Sequence, residues 1–167
     1  MNLIAAVDEN WGISFEGKLL FDLPPDLARF KQMTVGKVVV MGAETFRSLP
    51  KAPLENRVNI VLSSTSECCG ATVVGSLDEL FAEIEKYNHD DVFVIGGETV
   101  YKQLLNLCEC AYVTKIHAGK QADRHMPNLD ELPEWELHIR ERTQEHNGIK
   151  FSYLVYRNEL RRSVGIY

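Results

Sequence analysis

The sequence predicts an α/β fold: a single-domain, mostly parallel central sheet covered by helices on both faces, with an antiparallel hairpin at its C-terminal edge. Three observations carry that expectation. Short continuous apolar runs alternate with helix-like segments as far as about residue 116, the pattern of a sheet buried on both faces. Two of those runs end on glycine just before a polar helix start, at Val40-Met41-Gly42-Ala43-Glu44-Thr45 and Val94-Ile95-Gly96-Gly97-Glu98-Thr99. The last two runs, Trp135–Arg142 and Phe151–Arg157, are separated by a turn at Gln144–Gly148 with no helix between them, so they pair antiparallel.

A chain of 167 residues, 45% hydrophobic, fills one core and is short for two. One domain over residues 1–167 is expected. Eighteen Lys and Arg against 24 Asp and Glu leave a net charge of −6, which argues against a general nucleic-acid surface or a polybasic membrane contact. The basic pair Arg161-Arg162 is read as solvated. No apolar run approaches the ~20 residues of a membrane span. Leu3-Ile4-Ala5-Ala6-Val7 has no basic region before it and runs at once into Asp8-Glu9. It reads as a first strand rather than a signal peptide. Cys68, Cys69, Cys108 and Cys110 lack zinc-ligand spacing, and the five histidines are scattered. Reduced thiols, a cytoplasmic location and no metal are expected.

Taken in order, Leu3–Val7 is a buried strand. Asp8–Asp22 has Gly12 and Gly17, no clean period, and exposed-looking Trp11, Phe15, Leu19, Leu20 and Phe21. It reads equally as a lid over a ligand or as a loop packed on the core. A helix runs from Pro24 to about Met33. Lys37–Gly42 is a strand and Ala43–Leu49 a short helix. Val58–Leu62 and Thr72–Val74 are strands, and Ser76 with Glu79 forms a capping box that opens a helix to about Tyr87. Asp91–Ile95 is a strand, Glu98–Leu107 a helix with Val100, Leu104 and Leu107 on one face, and Ala111–Ile116 a strand.

The segment Leu23-Pro24-Pro25-Asp26-Leu27-Ala28-Arg29-Phe30-Lys31 organises the chemistry. Two prolines suit a helix's first turn. Asp26 then shares one side of the helix with Leu27 and Phe30. Either Asp26 complements the helix dipole, or it is a partly buried carboxylate at a pocket mouth, kept for recognition or proton chemistry. The two glycine corners offer close backbone approach and helix N–H groups that attract phosphate. Together they could hold a dinucleotide at the carboxyl ends of the strands. Neither is a GxGxxG or P-loop motif.

These segments resemble the dihydrofolate reductase family along nearly the whole chain. The resemblance runs through Leu3-Ile4-Ala5-Ala6, Gly12-Ile13, Leu23-Pro24-Pro25-Asp26-Leu27 with Phe30-Lys31, Val40-Met41-Gly42 with Thr45-Phe46, and Pro53-Leu54 with Asn56-Arg57. It continues in Ile60-Val61-Leu62-Ser63, Val94-Ile95-Gly96-Gly97 with Val100-Tyr101, Tyr112-Val113-Thr114, and Asp123 before Pro127. It implies hydride transfer from NADPH to C6 of 7,8-dihydrofolate, with a proton added at N5. It also implies binding of antifolate inhibitors.

By that resemblance Asp26 and Thr114 are catalytic. Ile4, Ala5, Leu27, Phe30, Leu49, Leu54 and Ile95 line the substrate, and Arg57 pairs with the glutamate tail. Ala6, Ile13, Gly42, Ala43, Glu44, Thr45, Leu62, Ser63, Ser64, Ile95, Gly96, Gly97, Glu98, Thr99, Val100 and Tyr101 line the cofactor. Trp11–Phe21 is similar to the family's mobile loop, with Asp123 its partner.

The chain departs from the pattern at Ser14, at Leu20-Phe21 in place of Pro-Trp, and at Glu55 in place of proline. It also lacks a basic residue at Ala43, at Ser63-Ser64-Thr65-Ser66 and at Glu98-Thr99, where relatives hold the 2′-phosphate. Weakened NADPH preference with use of NADH is therefore expected. Two other readings compete: a pyrimidine reductase of riboflavin synthesis and a non-catalytic nucleotide-binding module. Asp26 and Arg57 favour folate. A monomer is expected, since no apolar surface helix calls for a partner.

Overall fold

The computed structural model describes residues 1–65, 68 and 70–162, the side chain of Arg162 excepted. Ser66, Cys69, the side chain of Arg162 and the tail after it lie outside the described residues.

Strand β1 (Asn2–Val7) is followed by the short strands β2 (Gly12–Phe15) and β3 (Lys18–Leu19). Helix α1 (Pro24–Thr34), β4 (Val38–Gly42), α2 (Ala43–Ser48), β5 (Val58–Leu62), β6 (Thr72–Val74) and α3 (Leu77–Ile84) come next. Then come β7 (Val92–Gly96), α4 (Glu98–Leu104), β8 (Cys110–Ile116), β9 (Arg124–His125), β10 (Trp135–Arg140), β11 (Gln144–His146), β12 (Ile149–Asn158) and α5 (Glu159–Arg162). The main sheet has the order β10-β12-β8-β1-β7-β4-β5-β6, with β11 on β12. From β8 to β6 the pairings are parallel. Those of β12 with β8, β10 and β11 are antiparallel.

The period of two along β4 shows why both faces are covered. Val38 and Val40 join the main core with Val100, Tyr101 and Leu104 of α4 and Leu80 and Ile84 of α3. Val39 and Met41 face the other way, into a cluster with Phe46 of α2 and Val61. A strand apolar at every position can only be buried twice. Leu23, just ahead of α1, packs with Ile116, Phe151 and Tyr153.

Several expectations need correction. Trp11 looked exposed in sequence but is 4% exposed. It packs edge-on to Tyr156 and lies under the Lys115 ammonium at 4.1 Å. Residues 8–22 are not irregular throughout: β2, β3 and β9 form a second sheet. Its β2–β3 turn uses Glu16 and Gly17, both at positive φ, the geometry that matches strand twist.

The capping box is half made. Ser76 Oγ accepts the Glu79 N–H, but the Glu79 carboxylate returns to the Gly75 N–H, not to Ser76. The helix from Ser76 stops at Ile84 rather than Tyr87, and α4 stops at Leu104, where a 3₁₀ turn (Leu105–Leu107) takes over. The segment after residue 140 is more than a turn, because Gln144–His146 pairs with Ile149–Phe151 around Asn147-Gly148. Arg161 donates from Nε to the Asn106 carbonyl at 2.8 Å rather than standing only in solvent. Cys68, Cys108 and Cys110 are free thiols, and burial pushes the Cys108 thiol up to about 12.

Candidate active site

Helix α1 begins at a Leu23 cap with Pro24 and Pro25 in its first turn, and the Asp26 N–H donates to the Leu23 carbonyl at 2.9 Å. This start carries Asp26 against the sheet. Its Oδ1 accepts the hydroxyl of Thr114 at 2.5 Å. Thr114 lies on β8 between Ala6 of β1 and Tyr153 of β12 and is buried. Burial raises the Asp26 pKa, while the Thr114 hydrogen bond and the nearby Arg29 act in the opposite direction. A carboxylate so placed recruits a cationic partner or a pair of donors. Asp26 lines a small cavity with Ala6, Ile13, Leu20, Phe21 and Leu27.

The apolar residues expected around a substrate come from four elements. Ile4 and Ala5 are buried on β1. Leu27, half exposed, and Phe30 are on α1. Leu49, Leu54 and Ile95 pack on the Val39 and Met41 cluster. Ile95 occupies a register shift, since Val40 faces Val94 and Met41 faces Gly96. Such an extra residue re-aims a side chain out of the ladder.

Arg57 is held in place by its neighbours. Its Nη1 donates to Thr34 Oγ1 at 3.1 Å and its Nε to the Glu55 carbonyl at 2.9 Å, with the guanidinium 5.9 Å from the Phe30 ring. The loop beneath is clamped by Asn59, a residue that sequence reasoning missed. Its side chain exchanges two 2.9 Å bonds with the Leu54 backbone and donates to the Arg57 carbonyl at 3.1 Å. The available signal was a polar residue inside the apolar strand Val58–Leu62.

The two glycine corners meet. Gly42 caps α2, Gly97 caps α4, and their strands are paired. A Cβ on Gly42 would stand 3.2 Å from Val100 Cγ2, and one on Gly97 3.3 Å from Thr45 Oγ1. Gly96 has φ 123° and its peptide to Gly97 is cis. The φ of Gly96 is one that side chains rarely adopt, and a Cβ at Gly42 or Gly97 would require Val100 or Thr45 to give way by a few tenths of an ångström. Tyr101 lies beneath these corners, buried, with its hydroxyl donating to the Ile4 carbonyl at 2.8 Å. Around the rim, Ala43, Leu62 and Ser63 are partly buried, and Glu44, Ser64, Thr65 and Thr99 are exposed.

The segment 8–22 is tied at both ends. Asp8, 1% exposed, accepts the N–H groups of Asn10, Gly12 and Lys120. Asp123 accepts the Glu16 N–H at 3.0 Å. Lys120 donates to the Leu20 carbonyl and lies over the Phe21 ring. Asp8 was also missed, because an acid after a first strand carries no distinguishing pattern. Away from this cleft, Glu136 and His138 of β10 and Glu159 of α5 place three ligand-type atoms within 4.8 Å of one another, a juxtaposition that the scattered histidines of the sequence did not suggest.

Interlocked glycine corners on adjacent parallel strands, and a cavity lined by the half-buried Asp26 carboxylate, are the features expected of an α/β protein that takes a dinucleotide and a small substrate. The chain belongs to the dihydrofolate reductase family, whose profile matches residues 1–158. It is 38% identical over 160 residues to dihydrofolate reductase of Bacillus subtilis, covering 93% of each chain. It is 31% identical over 158 residues to that of Neisseria gonorrhoeae, covering 93% of this chain and 96% of the relative. Among solved structures it is similar to dihydrofolate reductase from Enterococcus faecalis complexed with NADP(H) and RAB-propyl. The TM-score is 0.82 and the identity 35%, over 93% of this chain and 94% of that one. No helix among the described residues is long and apolar enough to cross a membrane.

Proposed function

We propose that this chain reduces 7,8-dihydrofolate to 5,6,7,8-tetrahydrofolate with NADPH, acting as a cytoplasmic monomer of one domain in one-carbon and thymidylate metabolism. Membership of the family supports the reaction. The observation that carries the assignment to this cleft is the Asp26–Thr114 hydrogen bond. Hydride attacks a C=N bond readily only when the nitrogen is protonated, so the site must favour positive charge on the pterin. Asp26 accepts two hydrogen bonds from the pterin edge and stabilises that cation. Thr114 orients the carboxylate. A water brings the proton to N5, which lies too far round the ring for Asp26.

Ile4, Ala5, Leu27, Phe30, Leu49, Leu54 and Ile95 enclose the pterin and benzoyl rings, and Arg57 takes the α-carboxylate of the glutamate tail. NADPH, when bound, supplies the hydride. The corners suit its diphosphate in their chemistry: side-chain-free backbone at Gly42, Gly96 and Gly97, with the Thr45 hydroxyl close to Gly97. Gly42, Thr45, Ser63, Gly96 and Gly97 form that cradle, flanked by Ala6, Ile13, Ala43, Glu44, Leu62, Ser64, Glu98, Thr99, Val100 and Tyr101. Antifolates that present the same ring edge compete at Asp26. The net charge of −6 supports a small-molecule partner over nucleic acid or membrane.

The test is loss of NADPH absorbance on adding dihydrofolate. A reductase of riboflavin intermediates would respond to the pyrimidine and not to the folate, and a binding module to neither.

A further inference from the structure

The helix starts at the two corners carry acids in their first turns, Glu44 in α2 and Glu98 in α4. Both acids are met by consecutive residues of β9. The Glu98 Oε1 accepts the His125 N–H at 2.9 Å, and its other oxygen lies 3.9 Å from the Lys102 ammonium. The Glu44 Oε2 lies 3.9 Å from Arg124 Nη2. Arg124 Nη1 donates to the Asp123 carbonyl at 3.2 Å. Strand β9 is in turn the partner of the lid strand, with Ser14 opposite Arg124 and Gly12 opposite His125. The lid sheet thus delivers a guanidinium to the rim of the corner that closes on Gly42.

We infer that Arg124 binds a phosphate of the dinucleotide and that Glu44 is a positioning residue that holds the guanidinium at the corner until the phosphate arrives. The inference rests on the cofactor assignment of the corners. At 3.9 Å the Glu44 contact is too long for a hydrogen bond, so the fork is steered but not saturated. Both side chains are solvent-accessible, 49% for Arg124 and 78% for Glu44, and an exposed pair of this kind contributes little and yields readily. A phosphate offers the planar fork two charged acceptors and is the better partner. Arg124 thereby supplies from the lid side the positive charge that Ala43 and the serines after β5 do not.

The experiment measures dissociation constants of NADPH and NADH for wild type, Arg124→Gln, Arg124→Lys and Glu44→Gln, at low and high salt. Loss of one charge-assisted contact is expected to weaken binding about ten- to hundredfold in Arg124→Gln, with a shallower salt dependence. Arg124→Lys should recover part of the loss. Glu44→Gln should weaken binding less than Arg124→Gln does, because the guanidinium is still present and only its steering by Glu44 is lost. Equal weakening toward both cofactors assigns the contact to the diphosphate, and weakening toward NADPH alone assigns it to the 2′-phosphate.

Wild-type affinity in Arg124→Gln overturns the inference. So does equal weakening by Arg124→Gln and Glu44→Gln, since a merely structural ion pair is lost in the same way from either side. A wild type that binds neither cofactor overturns the cofactor assignment itself.

Discussion

The Thr114 hydroxyl donates to Asp26 Oδ1 at 2.5 Å, which ties the first turn of α1 to the middle of β8. A half-buried carboxylate with one neutral donor is underpaired, and that is the condition in which it seeks a cationic partner. Asp26→Asn is expected to fold, to bind NADPH, and to lose most turnover near neutral pH, because an amide does not stabilise a pterin cation as a carboxylate does. The loss should shrink at low pH, where solvent protonates the substrate. A pH profile of kcat and kcat/KM checks this, and wild-type turnover at pH 7 would sink the assignment.

The same burial sets a stability trend. The Asp26 pKa is raised in the folded protein, chiefly by desolvation. Between its unfolded and folded values the native state therefore holds more protons than the unfolded chain, and stability falls as pH rises through that window. Asp26→Asn removes this cost. The apo variant should melt above wild type at pH 7, and the difference should fade below the ordinary carboxylate range. Thermal melts of both proteins at several pH values decide it; a variant less stable than wild type at neutral pH would contradict the sign.

Arg57→Ala should raise the dihydrofolate KM far more than it lowers kcat, because the tail contact is remote from the reacting atoms. One charge-assisted pair is worth ~1.5–3 kcal/mol. A pterin without the glutamate tail should not distinguish variant from wild type. If it does so strongly, Arg57 is not the tail anchor.

Asn59 acts on that residue through the backbone. Asn59→Ala leaves the Leu54 N–H and carbonyl without their partners, a loss of about 1–3 kcal/mol for an orphaned buried group. Lower stability in denaturant melts, together with a KM increase in the same direction as Arg57→Ala, is expected. A KM unchanged despite lost stability would show that the loop keeps its shape without the clamp.

Which parts of the site could be seen in the sequence follows from how local their causes are. Val38–Gly42 and Val92–Gly96 are apolar at nearly every position and stop on glycine, so strand, double burial and corner were readable together. The Pro24-Pro25 start of α1 was equally local. Trp11 was misjudged because an apolar residue outside any period shows no direction: its burial depends on Tyr156 and Lys115, far along the chain. Asn59 and Asp8 act through backbone groups whose positions exist only after folding. The meeting of Arg124 with Glu44 needs the pairing of β9 with β2, which joins segments about 110 positions apart and leaves no local trace in Ala122–His125.

The last prediction concerns cofactor choice. Ala43, Glu44, Ser64, Glu98 and Thr99 are the positions proposed to read a 2′-phosphate, and none is basic. Hydroxyls at Ser64 and Thr65 are exposed and can donate, but neutral donors are weaker than charged ones. Glu44, exposed at the rim, repels a phosphate and suits a ribose 2′-OH. Loss of one charged contact, ~1.5–3 kcal/mol, reduces discrimination roughly ten- to hundredfold on a scale of about 1.4 kcal/mol per decade. NADPH is expected to remain the preferred cofactor, with NADH used well. Ala43→Arg should restore preference by improving kcat/KM for NADPH while leaving NADH unchanged. The measurement is kcat/KM for both cofactors in wild type, Ala43→Arg and Arg124→Gln. If wild type already rejects NADH strictly and Ala43→Arg gains nothing, a basic group has taken over the 2′-phosphate. Loss of that strictness in Arg124→Gln would then identify it as the guanidinium delivered by the lid sheet.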